Sequence, residues 1–203
     1  MREDLQHVHG KLSASSMLDD KLFLAMLMTG FFGLLRLGEM VFPDNMGLRD
    51  FRKVTMRLTL NIEEAHYVFT LPTHKSDKYF EGDCIVVQKS SCNPDPLACM
   101  LSYVTLRDHL FPLHPTLWLH ENGTVPSRSW FLSKLRTFFS SEIAGHSMRA
   151  GGATALAQAG ASPEIIKAAG RWSSDAFEQY IRKNPFLMHA LILGRTSVYD
   201  RVL

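Results

Sequence analysis

The longest apolar stretch of the chain lies near its start, between Leu22 and Leu35. It is too short to cross a membrane, which takes about 20 residues. The charged residues Asp19, Asp20 and Lys21 precede it and no small-residue cleavage site follows it, so the pattern does not indicate a signal peptide. A helix that is apolar on all sides is buried, and the stretch therefore predicts a central core helix, or a close pair of turns, over Met17–Arg36.

Further along the chain, apolar residues alternate with polar ones in three short segments, Val54 to Ile62, Tyr67 to Phe69 and Cys84 to Val87. A period of two residues is typical of half-buried strands. The segment Glu63–His66 is the predicted turn between the first two strands, and Pro72–Gly82 is a polar loop before the third. Together these segments predict a small three-stranded antiparallel sheet.

From Pro96 onward the pattern returns to helix. Ser162 followed by Pro163 and Glu164 is a strong helix start, because serine caps, proline suits the first turn and an acid favours the helix dipole. Ser127 or Ser129 caps another helix, and Asn184-Pro185 ends a later one. The predicted helices are Leu97–Leu110, Ser127–Ser140, Ser147–Ala159, one from Ser162 to Gly170, one after Ser173, and a last apolar segment, Leu187–Leu193. The expected fold class is α+β and mainly α.

Length and composition fit one globular domain. The chain has 203 residues, of which 46% are hydrophobic. We expect a polar lead-in over residues 1–16, the domain over residues 17–194 and a tail over residues 195–203. The net charge of +2 and the pI of about 8.5 are too modest to predict nucleic-acid binding by themselves. The odd number of cysteines, three, favours a reducing compartment.

A set of polar and aromatic residues suggests chemistry on a phosphodiester. His146 lies one helical turn before Arg149, Trp172 and Tyr180 follow, and Arg36 lies far upstream. Guanidinium groups bind phosphate oxygens in pairs and keep their charge. An imidazole takes up a proton near neutral pH, and a phenol serves as a nucleophile. This combination would cut a phosphodiester without a metal ion.

The ordered set resembles the catalytic domain of the tyrosine recombinases, the phage-integrase family, over about residues 17 to 190. The family pattern of Arg, Lys, His-x-x-Arg, His or Trp, and Tyr falls on Arg36, Lys75, His146, Arg149, Trp172 and Tyr180. The segment from Gly170 to Phe177 is similar to the recombinases of eukaryotic mobile elements of the Crypton and DIRS types. The resemblance implies a helical catalytic domain with a small three-stranded antiparallel sheet.

The resemblance also implies a role for each residue. Tyr180 is the expected nucleophile; only about 0.1% of an ordinary phenol is ionised at neutral pH, so His146 accepts its proton. Arg36 and Arg149 hold the phosphate, with Glu39 supporting Arg36. Trp172 donates its indole N–H, because it can donate but not accept, and Lys75 protonates the leaving 5′ oxygen. The implied reaction is DNA cleavage and rejoining through a 3′-phosphotyrosyl link, with no cofactor and no metal.

Several alternatives stay open at the level of sequence. Lys78 lies in the same loop as Lys75 and is a rival for its role. Trp172 and Tyr180 are one residue closer together than in most members of the family, which makes Tyr199 a substitute nucleophile. Each residue also has an ordinary structural interpretation, such as a core tyrosine, a surface ion pair or a solvated loop lysine. A DNA-binding relic with the same fold and no activity is the alternative function.

The expected partner is double-stranded DNA, contacted through its backbone by Arg128, Lys134, Arg136 and Lys167. Family members usually carry an amino-terminal helical domain that clamps the other face of the duplex. The sequence contains no counterpart, so we expect weak, salt-sensitive binding. We expect a homo-oligomer, a tetramer on DNA, if Phe186–Leu193 docks into a neighbouring protomer; an equal alternative is that this segment folds back on its own core. The expected location is intracellular, with the DNA, in the nucleus if the source is eukaryotic, and no membrane is implied.

Overall fold

The computed structural model describes residues 2–72, 82–185 and 187–192 of the chain. A three-stranded antiparallel sheet lies among helices, in the order β1-β2-β3. The strands are β1 (Asn61–Ile62), β2 (His66–Leu71) and β3 (Asp83–Gln88). The helices are α1 (Arg2–Leu12), α2 (Leu18–Phe32), α3 (Pro96–Leu110), α4 (Arg128–Arg136), α5 (Ser147–Gln158), α6 (Pro163–Ala169) and α7 (Ser174–Arg182). The prediction of a mainly helical fold with a small antiparallel sheet is confirmed.

Helix α2 is the centre of the fold. Its residues are buried from Leu22 to Phe31, and it packs against α3 on one side and α5 on another. The hydroxyl of Thr29 donates to the Ala25 carbonyl and lies 2.8 Å from the hydroxyl of Tyr67 on β2. Even the polar group of this apolar helix is therefore paired, as a buried hydroxyl requires.

Local capping signals set the ends of the later helices. The side chain of Ser127 accepts from the Trp130 amide at the start of α4, and Ser162 does the same for Ile165 at the start of α6. Gly160 follows α5 at φ +84°, a conformation that favours glycine. The predicted starts of α4 and α6 are confirmed, although α4 ends at Arg136 rather than at Ser140.

The sheet places alternate residues of β2 in the core. Tyr67 and Phe69 are buried and pair with Val87 and Ile85 of β3. The predicted turn after β1 is present, because the Glu63 amide donates to the His66 carbonyl at 2.8 Å. Residues 73–81 of the following loop lie outside the described part of the chain.

The first predicted strand is mostly wrong. Of the alternating segment, only Asn61–Ile62 pairs with β2, and Arg57–Thr59 forms a 3-10 turn instead. The Arg57 amide donates to the Pro115 carbonyl at 2.8 Å, a distant partner that takes this backbone out of the sheet. Leu58, which alternation placed on one face of a strand, is 81% exposed.

The ends of the described chain are also packed. Residues 1–16, expected as a polar lead-in, include α1, whose Leu5 and Val8 are buried in the main core. Their spacing of three residues puts both on one helix face. Residues 187–192 are helical, and Leu187 and Ala190 pack into a second cluster with Trp172 and Phe177. This packing matches the fold-back alternative for the carboxy-terminal segment.

No helix in the described ranges is both long and apolar enough for a membrane span. The three cysteines, Cys84, Cys92 and Cys99, are free thiols.

Candidate active site

An open cleft of about 580 Å³ brings together five of the six residues predicted for catalysis. The cleft lies between the turn that follows α2, the start of α5 and helix α7. Its predicted lining residues are Arg36, His146, Arg149, Trp172 and Tyr180, together with Glu39. The sixth residue, Lys75, and its rival Lys78 lie outside the described residues.

Arg36 is held by its own turn. It precedes a single 3-10 turn, Leu37–Glu39, and the Glu39 carboxylate closes the turn by accepting from the Arg36 amide at 2.8 Å. The other oxygen of Glu39 accepts from the guanidinium of Arg36 at 2.9 Å. The side chain of Arg36 stays one-third exposed while that of Glu39 is buried. Glu39 therefore fixes the direction in which Arg36 enters the cleft.

Arg149 is buried at the floor of the cleft, on the first turn of α5. It donates to the carbonyl of Leu34 at 2.7 Å and to the carbonyl of Gly170. Its guanidinium lies 4.0 Å from the centre of the Trp172 ring, a distance typical of a cation–π contact. Burial, with the charges of Arg36 and Arg171, lowers the pKa of Arg149 to about 9, so it is still a cation at neutral pH.

Trp172 and Tyr180 pack against each other at the end of the cleft, with their ring planes tilted by 36°. Their ring centres are 4.7 Å apart, and α7 carries Tyr180 two turns after its start at Ser174. Burial raises the pKa of Tyr180, while Asn184 and Arg149 oppose the shift. The side chain of Asn184 lies close enough to the phenol to lower its pKa. The geometry is nevertheless too poor for a hydrogen bond, and the buried phenol oxygen has no hydrogen-bond partner among the described residues. The shorter spacing between Trp172 and Tyr180 thus still leaves the phenol at the cleft.

His146 is exposed at the rim, immediately before α5. Gly145 beside it is buried against Leu37, where an added Cβ would come within 2.6 Å of a side-chain carbon. The backbone therefore approaches the Arg36 turn closely, and this approach brings the imidazole to the same cleft as the two arginines.

Two basic residues of the site were missed from the sequence. Arg171 is largely buried next to Trp172, with its side chain 11% exposed and its guanidinium 3.3 Å from a carboxylate oxygen of Glu39. Lys53 lines the cleft from the segment before β1. The signal for Arg171 was its position between Gly170 and Trp172, whereas Lys53 lies in a segment with no recognisable pattern.

The residues predicted to contact DNA differ in their surroundings. Arg128 is exposed and lines the cleft, and Arg136 is exposed at the end of α4. Lys134 forms an ion pair with Asp20 at 2.7 Å, and Lys167 donates to the Ser174 hydroxyl at 2.7 Å. Arg128 is thus the one of these four that shares the cleft with the catalytic candidates.

Within the described residues, no group of three or more His, Cys, Asp and Glu side chains is arranged to hold a metal ion. The charged side chains that line the cleft are three arginines, a lysine and the carboxylate of Glu39. The side chains of the cleft therefore provide the positive charge that would attract an anion.

No protein-family model and no curated protein sequence matches the chain. Solved structures do match. One is the XerH site-specific recombinase bound to palindromic difH substrate in a post-cleavage complex, with a TM-score of 0.62 and 11% identity over 90% of this chain. Another is the XerA recombinase, with a TM-score of 0.63 and 16% identity over 89% of this chain. The pre-cleavage XerH complex with difH gives a TM-score of 0.61 and 12% identity over 88% of this chain.

The likeness shows the fold. Together with the helices and the sheet described above, it confirms the expected fold of a tyrosine recombinase catalytic domain. The chain covers 48%, 57% and 47% of the three matched chains, and so spans about half the length of the solved structures it matches.

Proposed function

We propose that this chain is a catalytic domain of the tyrosine recombinase family that cleaves and rejoins DNA through a covalent 3′-phosphotyrosyl intermediate. One observation carries the proposal: residues scattered from position 36 to position 180 converge on one cleft, which a phenol and two of the predicted guanidinium groups line together. Fold likeness alone does not assign activity. The convergence of this particular set is what supports the chemistry.

In the proposed reaction the phenol oxygen of Tyr180 attacks the scissile phosphorus. Its proton passes to His146, the bond from phosphorus to the 5′ oxygen breaks, and Lys75 protonates the leaving oxygen. The phosphodiester is conserved as a phosphotyrosyl ester, so no energy source is consumed. Attack by a 5′ hydroxyl on that ester reverses the step and rejoins the strand.

Arg36 and Arg149 would stabilise the charge that develops on the non-bridging oxygens. Donors that are fixed before the reaction are effective because they need no reorganisation, and one such donor is worth about 3–4 kcal/mol. Both guanidiniums meet this requirement, since Glu39 holds Arg36 and two backbone carbonyls hold Arg149. The indole of Trp172 would add a further N–H donor while its ring supports Arg149.

The finer parts of the proposal concern partners and origin. Double-stranded DNA is the proposed substrate, contacted outside the cleft by Arg136 and Lys167, whereas the ion pair with Asp20 sets Lys134 apart from this group. Assembly as a tetramer on DNA would use the exposed part of residues 187–192, which includes Met188 and Ile192. We place the protein inside the cell with the DNA, and the segment from Gly170 to Phe177 supports an origin in a eukaryotic mobile element.

A DNA-binding domain without cleavage activity is the second candidate. Its supporting observation is that the Tyr180 hydroxyl is buried and has a raised pKa. Cleavage therefore requires that DNA binding exposes the phenol to the phosphate and that His146 takes its proton. DNA binding alone requires neither change.

The deciding experiment traps the covalent intermediate. Because the target site is unknown, the substrate is a pool of short duplexes with randomised sequence around a nick placed so that the cut fragment diffuses away. We expect a protein–DNA adduct that survives denaturation, and sequencing of the trapped DNA reports the preferred site. A chelator should leave the adduct yield unchanged.

Matched tyrosine variants identify the nucleophile. We expect Tyr180→Phe to abolish the adduct while retaining DNA binding, and Tyr199→Phe to form it normally. An adduct that survives Tyr180→Phe and disappears in Tyr199→Phe would assign the nucleophile to Tyr199. DNA binding with no adduct from the unaltered chain would support the second candidate.

A further inference from the structure

Arg171 occupies an unusual place beside the cleft. Its backbone has φ +54°, in the left-handed region that residues other than glycine seldom adopt. Its side chain is only 11% exposed, although it carries a charge. Burial lowers the pKa of Arg171, and the carboxylates of Glu39 and Asp83 oppose that shift. A strained backbone and a buried charge at one residue indicate that the surrounding contacts hold it there.

The contacts of Arg171 reach three parts of the site. Its guanidinium lies 3.3 Å from Glu39, the residue that closes the Arg36 turn. It donates to the carbonyls of Gly33 at 3.4 Å and Leu34 at 3.3 Å, at the end of α2. Its Nε lies 3.9 Å from the carboxylate of Asp83, the first residue of β3 after the loop that contains Lys75.

Leu34 connects this contact to Arg149. Leu34 is itself at φ +51°, and its carbonyl accepts from Arg149 as well as from Arg171. Its side chain is buried in the second cluster with Trp172. Leu34 and Arg171, both in the left-handed conformation and far apart in sequence, are thus joined by a hydrogen bond to the Leu34 carbonyl. Because Arg149 donates to the same carbonyl, the position of each guanidinium constrains that of the other.

We propose that Arg171 is a positioning residue that sets Arg36 and Arg149 in their working geometry, through Glu39 and the Leu34 carbonyl. The proposal rests on the proposed function. Arg171 directly precedes Trp172, so the same residue also fixes the start of the short connection to Tyr180. A misplacement of about 1 Å at a reacting group costs about 100-fold in rate, which is the scale on which this support matters.

The test compares Arg171→Met and Arg171→Lys with Arg182→Met, which removes an arginine that is 74% exposed on α7. We expect Arg171→Met to slow adduct formation by about 10- to 100-fold with unchanged DNA affinity. Lysine restores the charge near Glu39 but cannot donate from a planar fork to both acceptors, so we expect only partial recovery. Arg182→Met should react like the unaltered chain.

A second readout does not depend on activity. In ¹⁵N-labelled protein, the guanidinium protons of Arg149 should exchange slowly with solvent and give separate NMR signals, because both of its hydrogen bonds to backbone carbonyls are buried. We expect Arg171→Met to broaden or average these signals while amide signals of the distant sheet stay in place. The thermal midpoint of each variant, measured by thermal unfolding, verifies that the variant is folded at the temperature of the rate measurements.

The outcomes separate the two proposals. If the unaltered chain forms no adduct, the proposed function fails, and the Arg149 signals still decide whether Arg171 positions that residue. Unchanged Arg149 signals together with an unchanged adduct rate in Arg171→Met would overturn the positioning role. Lower DNA affinity with an unchanged rate would also overturn it, because Arg171 would then contact DNA directly.

Discussion

Arg149 and Arg171 donate to the same acceptor, the carbonyl oxygen of Leu34, at 2.7 and 3.3 Å. Two guanidinium groups are thereby held side by side, and burial, together with the nearby charge of Arg36, lowers the pKa of both. Glu39 is the carboxylate that lines the cleft together with Arg36 and Arg149. The stability of this cationic group therefore depends on nearby carboxylates: Glu39 contacts both Arg36 and Arg171, and Asp83 lies 3.9 Å from Arg171.

Replacing Glu39 with glutamine should destabilise the fold. The carboxylate accepts from the Arg36 amide and from the guanidiniums of Arg36 and Arg171, and its loss removes the negative charge that these two guanidiniums share. We expect Glu39→Gln to lower the free energy of unfolding by about 3 kcal/mol, which corresponds to a fall in thermal midpoint of about 6–12 °C for a chain of this size.

The matched control is Glu178→Gln on α7, whose exposed ion pair with Arg182 spans 3.5 Å. We expect that change to stay within about 0.5 kcal/mol. Calorimetry of both variants measures the difference. Equal, small effects at the two positions would contradict the role given to Glu39.

The basic residues at the cleft should set the salt dependence of DNA binding. Lys53 and Arg128 line the cleft and are exposed, so each can neutralise one backbone phosphate. We expect alanine at either position to weaken binding to all sequences alike and to reduce the slope of log affinity against log salt by about 1. Fluorescence anisotropy with a labelled duplex at several salt concentrations measures the slope.

Lys134→Ala is the control for charge. It removes one positive charge from the same helix as Arg128, but this lysine is committed to Asp20 at 2.7 Å. We expect the salt slope to stay the same. The assignment of DNA contacts is refuted if Lys134→Ala lowers the slope as much as Arg128→Ala does.

Some of this fold could be predicted because its signals are local. Ser127 and Ser162 cap the helices that directly follow them, and Tyr67 and Phe69 alternate within one strand. The segment around Arg57 carried the same alternation, yet its backbone pairs with Pro115 instead of the sheet. Alternation therefore indicates a strand only where a neighbouring strand is available, and a distant backbone partner decides whether the strand forms.

The candidate site shows the same division. The spacing of His146 and Arg149 placed both at the start of one helix, and the structure brings them to the cleft with Arg36. The position of Arg171 between Gly170 and Trp172 was a signal in the sequence, but its contacts could not be predicted from that position. Its buried position depends on the Leu34 carbonyl and on Glu39, which are more than 100 residues away in the chain. The catalytic roles themselves stay predictions.

The contact between α2 and α5 below the cleft should tolerate no added volume. A Cβ built on Gly152 would lie 2.1 Å from the Phe31 carbonyl oxygen and 2.5 Å from a methyl group of Leu34. Because backbone cannot yield as a flexible side chain does, we expect Gly152→Ala to cost at least about 1–3 kcal/mol of stability. Disturbance of Leu34 should also slow adduct formation.

Gly10→Ala on α1 is the matched control, since a Cβ there has no neighbour within 4 Å. Alanine in an exposed helix should stabilise by about 0.4–1 kcal/mol. Urea unfolding of the two variants compares them directly. Equal shifts in the same direction would show that the contact at Gly152 is not the cause.

Alkaline pH should unfold the protein partly through Tyr67. Burial raises the pKa of Tyr67 above its ordinary value of about 10, so the folded state keeps the phenol neutral. A raised pKa in the folded state means that this contribution to stability is complete below pH 10 and is lost as the pH rises further, by about 1.4 kcal/mol per pH unit.

Tyr67→Phe removes that titration and also the contact with the Thr29 hydroxyl, which spans 2.8 Å. We expect a loss of about 1 kcal/mol at pH 7, but a shallower fall in stability above pH 10 than in the unaltered chain. Tyr103, whose pKa burial also raises, still titrates in the variant, so the fall is reduced rather than abolished. Urea unfolding at pH 7, 9, 10 and 11 measures both effects, and two curves that run parallel across this range would show that Tyr67 does not titrate with unfolding.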